Sequence, residues 1–168
     1  MPAPNDTARL FIALWPSPPV QRALVAEQRR WRWPPGARPT ARDKLHLTLH
    51  FIGAVPAERV PAIAAGLSVP RLPFALMLDA AEVWPNGCAV LAAGTTPPPL
   101  ATLHARLAES LRQLRLPVES RTFRPHVTLA RGARGAQPPE PPVPLRWPVR
   151  GYVLVQSANG RYAPVAVY

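Results

Sequence analysis

A four-residue phrase occurs twice in this 168-residue chain, and it constrains the fold more than any other feature. His46-Leu47-Thr48-Leu49 returns as His126-Val127-Thr128-Leu129, 80 positions further along the chain. Each copy lies in an apolar, alternating run, the pattern of a half-buried strand. Successive side chains of a strand point to opposite faces, so His46 and Thr48 share one face and Leu45, Leu47 and Leu49 the other. His126 and Thr128 are set against Val127 and Leu129 in the same way. Two such strands in one chain suggest an internally duplicated α+β fold.

The surrounding sequence supplies the elements for it. Arg9 to Trp15 reads as a first strand, and Ser17 with Pro18 as the N-cap and first turn of an amphipathic helix carrying Val20, Leu24 and Val25. Trp33 to Pro39 reads as a loop and Leu45 to Ile52 as a strand closed by Gly53. Pro56 to Leu67 has helical spacing. Leu72 to Trp84 and Cys88 to Ala93 read as strands joined through the hairpin signal Pro85-Asn86-Gly87. Leu100, Leu103, Leu107, Leu111 and Leu114 form one face of a helix over Pro97 to Leu114. Phe123 to Arg131 is the second motif strand, and Gly132 to Pro144 a Pro- and Gly-rich loop. Val149 to Gln156 and Tyr162 to Tyr168 close the chain around Asn159-Gly160. No linker divides it, so a single domain over residues 1–168, built of two similar halves, is expected.

The repeat carries a definite chemistry. Positions i and i+2 of a strand lie about 6.6 Å apart, close enough for one phosphate to touch both side chains. Histidine has the unperturbed side-chain pKa nearest neutrality. One neutral imidazole can take a proton from water while a second, protonated, gives one to a departing oxygen. Threonine hydroxyls can donate to the nonbridging oxygens, where charge grows. A single His-x-Thr triplet carries little information. Two copies, each followed by leucine, point to a phosphoester site.

Other chemistries fit less well. His46 and His50 share a face under strict alternation, but four strand residues span about 13 Å, too far for one zinc ion. His50 then reads as a bystander on the cleft wall or a surface residue, and His104 as a solvated or boundary position on its helix. No Ser-His-Asp spacing and no Gly-rich phosphate loop is present. Cys88 is the one cysteine, which excludes an internal disulfide and a cysteine-built zinc site and suits a reducing cytoplasm. The N-terminal segment lacks a signal-peptide pattern, and no apolar run approaches the roughly 18–20 residues of a membrane helix. The formal net charge of +11 favours anionic partners such as nucleic acid. Nearly all of that charge is arginine, alongside 25 prolines, so a base-composition bias would produce it equally well.

With these residues in view, the chain resembles the two-histidine phosphoesterase superfamily, and within it the RNA 2′,3′-cyclic phosphodiesterases, also called 2′-5′ RNA ligases. Arg9 to Leu14 looks like that family's opening strand. His46-Leu47-Thr48-Leu49-His50-Phe51-Ile52-Gly53 and Phe123-Arg124-Pro125-His126-Val127-Thr128-Leu129-Ala130-Arg131 look like its two motifs, and Val153 to Tyr162 like its final hairpin. The resemblance implies a bilobal fold, antiparallel sheets lining a central cleft with helices outside. It implies metal-independent opening of a 2′,3′-cyclic phosphate to a 2′-phosphomonoester, with no cofactor. By matching position His46 would be the proton donor and His126 the proton acceptor. Thr48, Thr128 and Arg131 would bind the phosphate.

Two positions sit awkwardly with strict alternation. Phe51 matches an aromatic that packs near the substrate, yet its phase puts it on the core face, which favours core packing. Arg131 falls on the face opposite His126 and reaches the phosphate only if the strand bends or ends near Ala130 and Arg131, which the neighbouring Gly132 would allow. The expected partner is an RNA end or nucleotide bearing a 2′,3′-cyclic phosphate, the expected state a cytoplasmic monomer with no membrane association. Two rivals stay open: 2′-5′ ligation of tRNA half-molecules by the same site, and a basic RNA-binding module without catalysis.

Overall fold

The structure is a computed structural model and describes residues 6–168. The first five positions of the segment read for a targeting signal lie outside them. The elements run β1 (Thr7–Leu14), α1 (Pro18–Arg30), β2 (Arg38–Pro39), β3 (Leu47–Pro56), α2 (Val60–Gly66), β4 (Phe74–Leu78) and β5 (Ala80–Val83). They continue with β6 (Ala89–Ala92), α3 (Pro98–Gln113), β7 (His126–Arg131), β8 (Leu145–Val149), β9 (Val153–Ala158) and β10 (Arg161–Val167). All strand pairs are antiparallel.

One sheet has the order β10-β9-β1-β3-β7-β6-β5, with β2 added along β7, and β4 and β8 form a separate ribbon. The large sheet is joined at its middle by a single residue pair, Leu47 with Val127. Beyond that pair the edge of β7 is taken by β2, where Arg38 faces Arg131 and Pro39 faces Ala130. β3 and β7 therefore part after one rung, and the sheet divides into two lobes with a motif strand on the inner edge of each. This is the duplicated α+β architecture expected from the repeat, with the two lobes that the resemblance implies.

The main core lies on one face of the sheet. Leu10, Ile12 and Leu14 of β1, Leu47 and Leu49 of β3 and Val127 and Leu129 of β7 pack there with Val20 and Leu24 of α1 and the leucine stripe of α3. Burial of these side chains, at about 1.5–3 kcal/mol each, holds the helices against the strands. Two smaller apolar clusters lie apart from this core. Phe11, Ala13 and Val155 form one, and Cys88, Val90 and Ala92 the other.

The sequence reading needs correction at several boundaries. Leu72 to Trp84 is not one strand: β4 pairs with β8, and β5 with β6. The break is at Asp79, whose amide donates to the Ala92 carbonyl while its carboxylate accepts from Gly94 N–H at 2.7 Å. β2 lies in the stretch read as a loop, and β8 lies between the loop read to Pro144 and the strand read from Val149, a stretch left without an element. Pro56 to Leu67 begins as a 3-10 turn at Ala57–Arg59 before α2. Ser17 stands at the N-cap of α1, but its side chain makes no capping hydrogen bond.

Candidate active site

Extending the Leu47–Val127 register one step each way sets His46 opposite Thr128 and Thr48 opposite His126. Leu47 and Val127 are fully buried, so the four polar side chains share the other face, over the cleft. The two histidines lie on either side of that one pair, line the same cleft, and are near enough for His126 to act on the charge of His46. That placement suits two groups flanking one phosphorus atom. The cleft has a volume of about 1190 Å³, and His46, Thr48, His126, Thr128, Phe51 and Arg131 all line it.

Both imidazoles are anchored by the same local device. His46 donates its Nδ1–H to the Lys44 carbonyl at 2.7 Å, and His126 donates its Nδ1–H to the Arg124 carbonyl at 2.7 Å. A carbonyl only accepts, so Nδ1 must carry the proton, and Nε2 is left as the nitrogen that gains or loses one. The Thr48 hydroxyl donates to the neutral His46 Nε2 at 3.0 Å. Around His46, Trp15 stacks at 5.2 Å with rings nearly parallel, Phe11 packs at 5.0 Å, and Tyr162 meets it edge-on at 5.6 Å. His126 packs on Trp84 at 4.4 Å. That indole donates to Glu82 at 2.7 Å, and Glu82 also accepts from Arg124 at 3.1 Å.

Phe51 and Arg131 do not follow strict alternation, for one shared reason. The β1–β3 register slips at Leu49, where Ile12 faces His50 but Ala13 faces Thr48. The β6–β7 register slips at Leu129, where Ala89 faces Ala130 but Val90 faces Thr128. Each slip inserts one extra residue and reverses the faces beyond it. The position five residues after each histidine is thereby turned into the cleft. Phe51 is 55% exposed and not a core residue, as its phase had suggested. Arg131 is exposed on the cleft side, its Nη1 3.7 Å from Cys88 Sγ. The expected bend is the extra residue at Leu129, beside Ala130, and the strand ends at Arg131 itself.

The same slip moves His50. It is 4% exposed, so it is part of the cleft wall and not a surface residue, and its Nε2 is 2.9 Å from the His104 carbonyl. Its ring stacks on His104 at 4.0 Å, and His104 stacks in turn on Phe123 at 3.9 Å. His104 is thus a packed residue of the α3–β3 contact. Among the described residues, no three His, Cys, Asp or Glu side chains gather where they could share a metal ion.

Burial is the largest influence on both cleft histidines, and it lowers the pKa of each below 6.5. Their backbone anchors oppose it. His46 is lowered further by His126 and Arg131, and His126 by Arg124 and Arg131. Arg131 therefore acts electrostatically on both. The cleft carries Arg9, Arg38, Lys44, Arg121, Arg124 and Arg131 against one acidic residue, Glu119. Sequence reasoning missed Trp15, Phe11, Trp84 and the carbonyl anchors. Their only signal was position: Phe11 and Ala13 flank the motif strand on β1, and aromatic residues end two of the strands beside it.

The geometry agrees with what the chain resembles. Residues 16–161 match the family model of the 2′-5′ RNA ligase superfamily. The chain is 36% identical to an RNA 2′,3′-cyclic phosphodiesterase of Thermus thermophilus, over 94% of this chain and 85% of that protein. It is 36% identical to the Escherichia coli RNA 2′,3′-cyclic phosphodiesterase over 77% of this chain and 74% of that protein. The crystal structure of E. coli LigT complexed with 3′-AMP superposes with a TM-score of 0.82 at 28% identity, covering 97% of this chain and 98% of that one. With the motifs, the lobes and these likenesses in agreement, the chain belongs to the 2′-5′ RNA ligase superfamily.

Proposed function

We propose that this protein hydrolyses the 2′,3′-cyclic phosphate of RNA ends or nucleotides to a 2′-phosphomonoester, by acid–base catalysis between His46 and His126. The observation that carries the reading is the pairing of the two motif strands at Leu47 and Val127, which sets both imidazoles on one face of one cleft. His126 Nε2 takes a proton from water, and the water oxygen forms a bond to phosphorus. The bond from phosphorus to O3′ breaks, and His46 Nε2–H gives its proton to that oxygen. The product has a 2′-phosphate and a free 3′-hydroxyl, and the histidines exchange protons with solvent to reset. Thr48, Thr128 and Arg131 neutralise the charge that builds on the nonbridging oxygens.

The donor role of His46 and the acceptor role of His126 follow the family resemblance. Three aromatic rings surround His46, and the nearly parallel Trp15 face favours an imidazolium there. Burial and Arg131 disfavour a proton on both histidines; His126 adds to this at His46, and Arg124 at His126. Phe51, exposed at the cleft, is placed to meet the sugar or base. Both halves of the sheet supply residues to the cleft, which supports reading the chain as one catalytic domain. No helix among the described residues is long and apolar enough to cross a membrane.

The test is product identification from a panel of 2′,3′-cyclic nucleotides and short RNAs, with EDTA present. Nucleoside 2′-phosphates are the expected products. Exclusive joining of tRNA half-molecules would favour ligation. Salt-sensitive RNA binding with no turnover would favour a binding module.

A further inference from the structure

The extra residue at Leu129 turns Arg131 into the cleft, and the backbone there is held by two residues outside both motifs. An inserted residue breaks the ladder, so its backbone groups need other partners. Thr40, which follows β2, donates its amide N–H to the Leu129 carbonyl at 2.8 Å and its hydroxyl to the Thr128 carbonyl at 2.7 Å. Gln28, in the last turn of α1, donates from Nε2 to the Leu129 carbonyl at 2.8 Å and to the Thr40 carbonyl at 3.0 Å. Both partners are carbonyls, which only accept, so the amide orientation is fixed and both its N–H groups are used. The four bonds close over Thr128 and Leu129. The Arg131 side chain forms no ion pair among the described residues, and its one hydrogen-bond partner is the Cys88 sulfur. Its direction is therefore set by the backbone it leaves.

We propose that Gln28 and Thr40 are positioning residues for Arg131: they lock the Thr128–Leu129 backbone in the one arrangement that presents the guanidinium to a phosphoryl group. The identity of that group rests on the reading above; the clamp itself does not. A loosened clamp leaves Arg131 in the protein but spreads its guanidinium over more directions. The loss should fall on anion binding and vanish when Arg131 is already gone.

The experiment is a set of double-mutant cycles. Affinity for adenosine 2′-monophosphate is measured by calorimetry, and turnover of adenosine 2′,3′-cyclic phosphate in parallel. The variants are Gln28→Leu, Thr40→Val and Thr40→Ser, each alone and with Arg131→Ala, with melting temperatures recorded. Gln28→Leu and Thr40→Val are expected to weaken nucleotide binding roughly 5- to 50-fold and to raise KM in step. Thr40→Ser, which keeps the hydroxyl, should stay near the parent protein. In the Arg131→Ala background neither clamp variant should add a loss beyond about two-fold. Should Gln28→Leu fail to fold, Gln28→Asn, which keeps the amide but falls one methylene short, takes its place. Nucleotide binding by Gln28→Leu within two-fold of the parent, or an equal loss with Arg131 absent, overturns the proposal. A parent protein that binds the nucleotide yet leaves the cyclic phosphate intact contradicts the hydrolase reading and leaves the clamp standing. A parent that binds no nucleotide contradicts both.

Discussion

His46 and His126 are held alike and surrounded unlike. Each gives Nδ1–H to the carbonyl two residues before it, but His46 lies among three aromatic rings, while His126 packs on Trp84 and has Arg124 opposing its proton. Both pKa values lie below 6.5 in the free protein, so the form with one proton between them peaks on the acid side of that value. We expect kcat/KM for cyclic nucleotide hydrolysis to be bell-shaped with its apex below pH 6.5. A bound phosphate favours the charged imidazoles, so the kcat profile should move to higher pH. Initial-rate kinetics from pH 4 to 9 read both shifts; an apex above pH 7 in kcat/KM would contradict them. The histidines and threonines were legible in the sequence because strand alternation orders them. Their anchors were not, since a main-chain carbonyl at Lys44 or Arg124 leaves no mark in side-chain identity.

At the scale of the element, the inserted residues at Leu49 and Leu129 matter most. They send Phe51 and Arg131 into the cleft and bury His50 in its wall. Periodicity read from sequence assumes an unbroken ladder, which is why Phe51 was assigned to the core and Arg131 needed a bend to reach the phosphate. Phe51→Ala should therefore change stability by no more than about 0.5 kcal/mol in urea denaturation. A core aromatic would cost about 3–5 kcal/mol, and a loss of that size would return Phe51 to the interior. The β3–α3 contact makes a second prediction. Burial first, and His50 next, push the His104 pKa down to about 4. Burial also lowers His50, against the pull of the His104 carbonyl and Glu119. An unfolded histidine titrates near 6.5, so protonation favours unfolding. Their contribution is complete above pH 6.5 and declines as pH falls toward 4. The melting temperature should drop across that window, and less steeply in His104→Phe, which keeps the stack on Phe123. Equal slopes in the two proteins would place the titration elsewhere. The division of β4 from β5 at Asp79 escaped the sequence because one apolar, β-prone run covers both.

Over the whole molecule, the repeat made an internally duplicated α+β fold readable before any coordinate, because two equivalent strands need equivalent surroundings, and the family resemblance added its two lobes. What it left open was how the halves meet, which here is one residue pair with β2 filling the rest of the β7 edge. Charge is the other property of this scale. Six basic residues and one acidic residue line the cleft, so part of the +11 net charge is gathered where a polyanion would lie. Raising salt from 50 to 200 mM should raise KM more for an RNA oligomer with a cyclic-phosphate end than for the cyclic mononucleotide. Equal salt dependence would assign the arginine excess to composition. The central claim, one acid and one base drawn from the two lobes, is tested most directly by the pH dependence of kcat/KM in His46→Ala and His126→Ala. Each variant should lose about 10²–10⁴-fold in rate. The residual activity of His46→Ala should no longer fall on the alkaline side, and that of His126→Ala should no longer fall on the acid side. Retention of the full bell, or of full activity, in either variant would contradict the account.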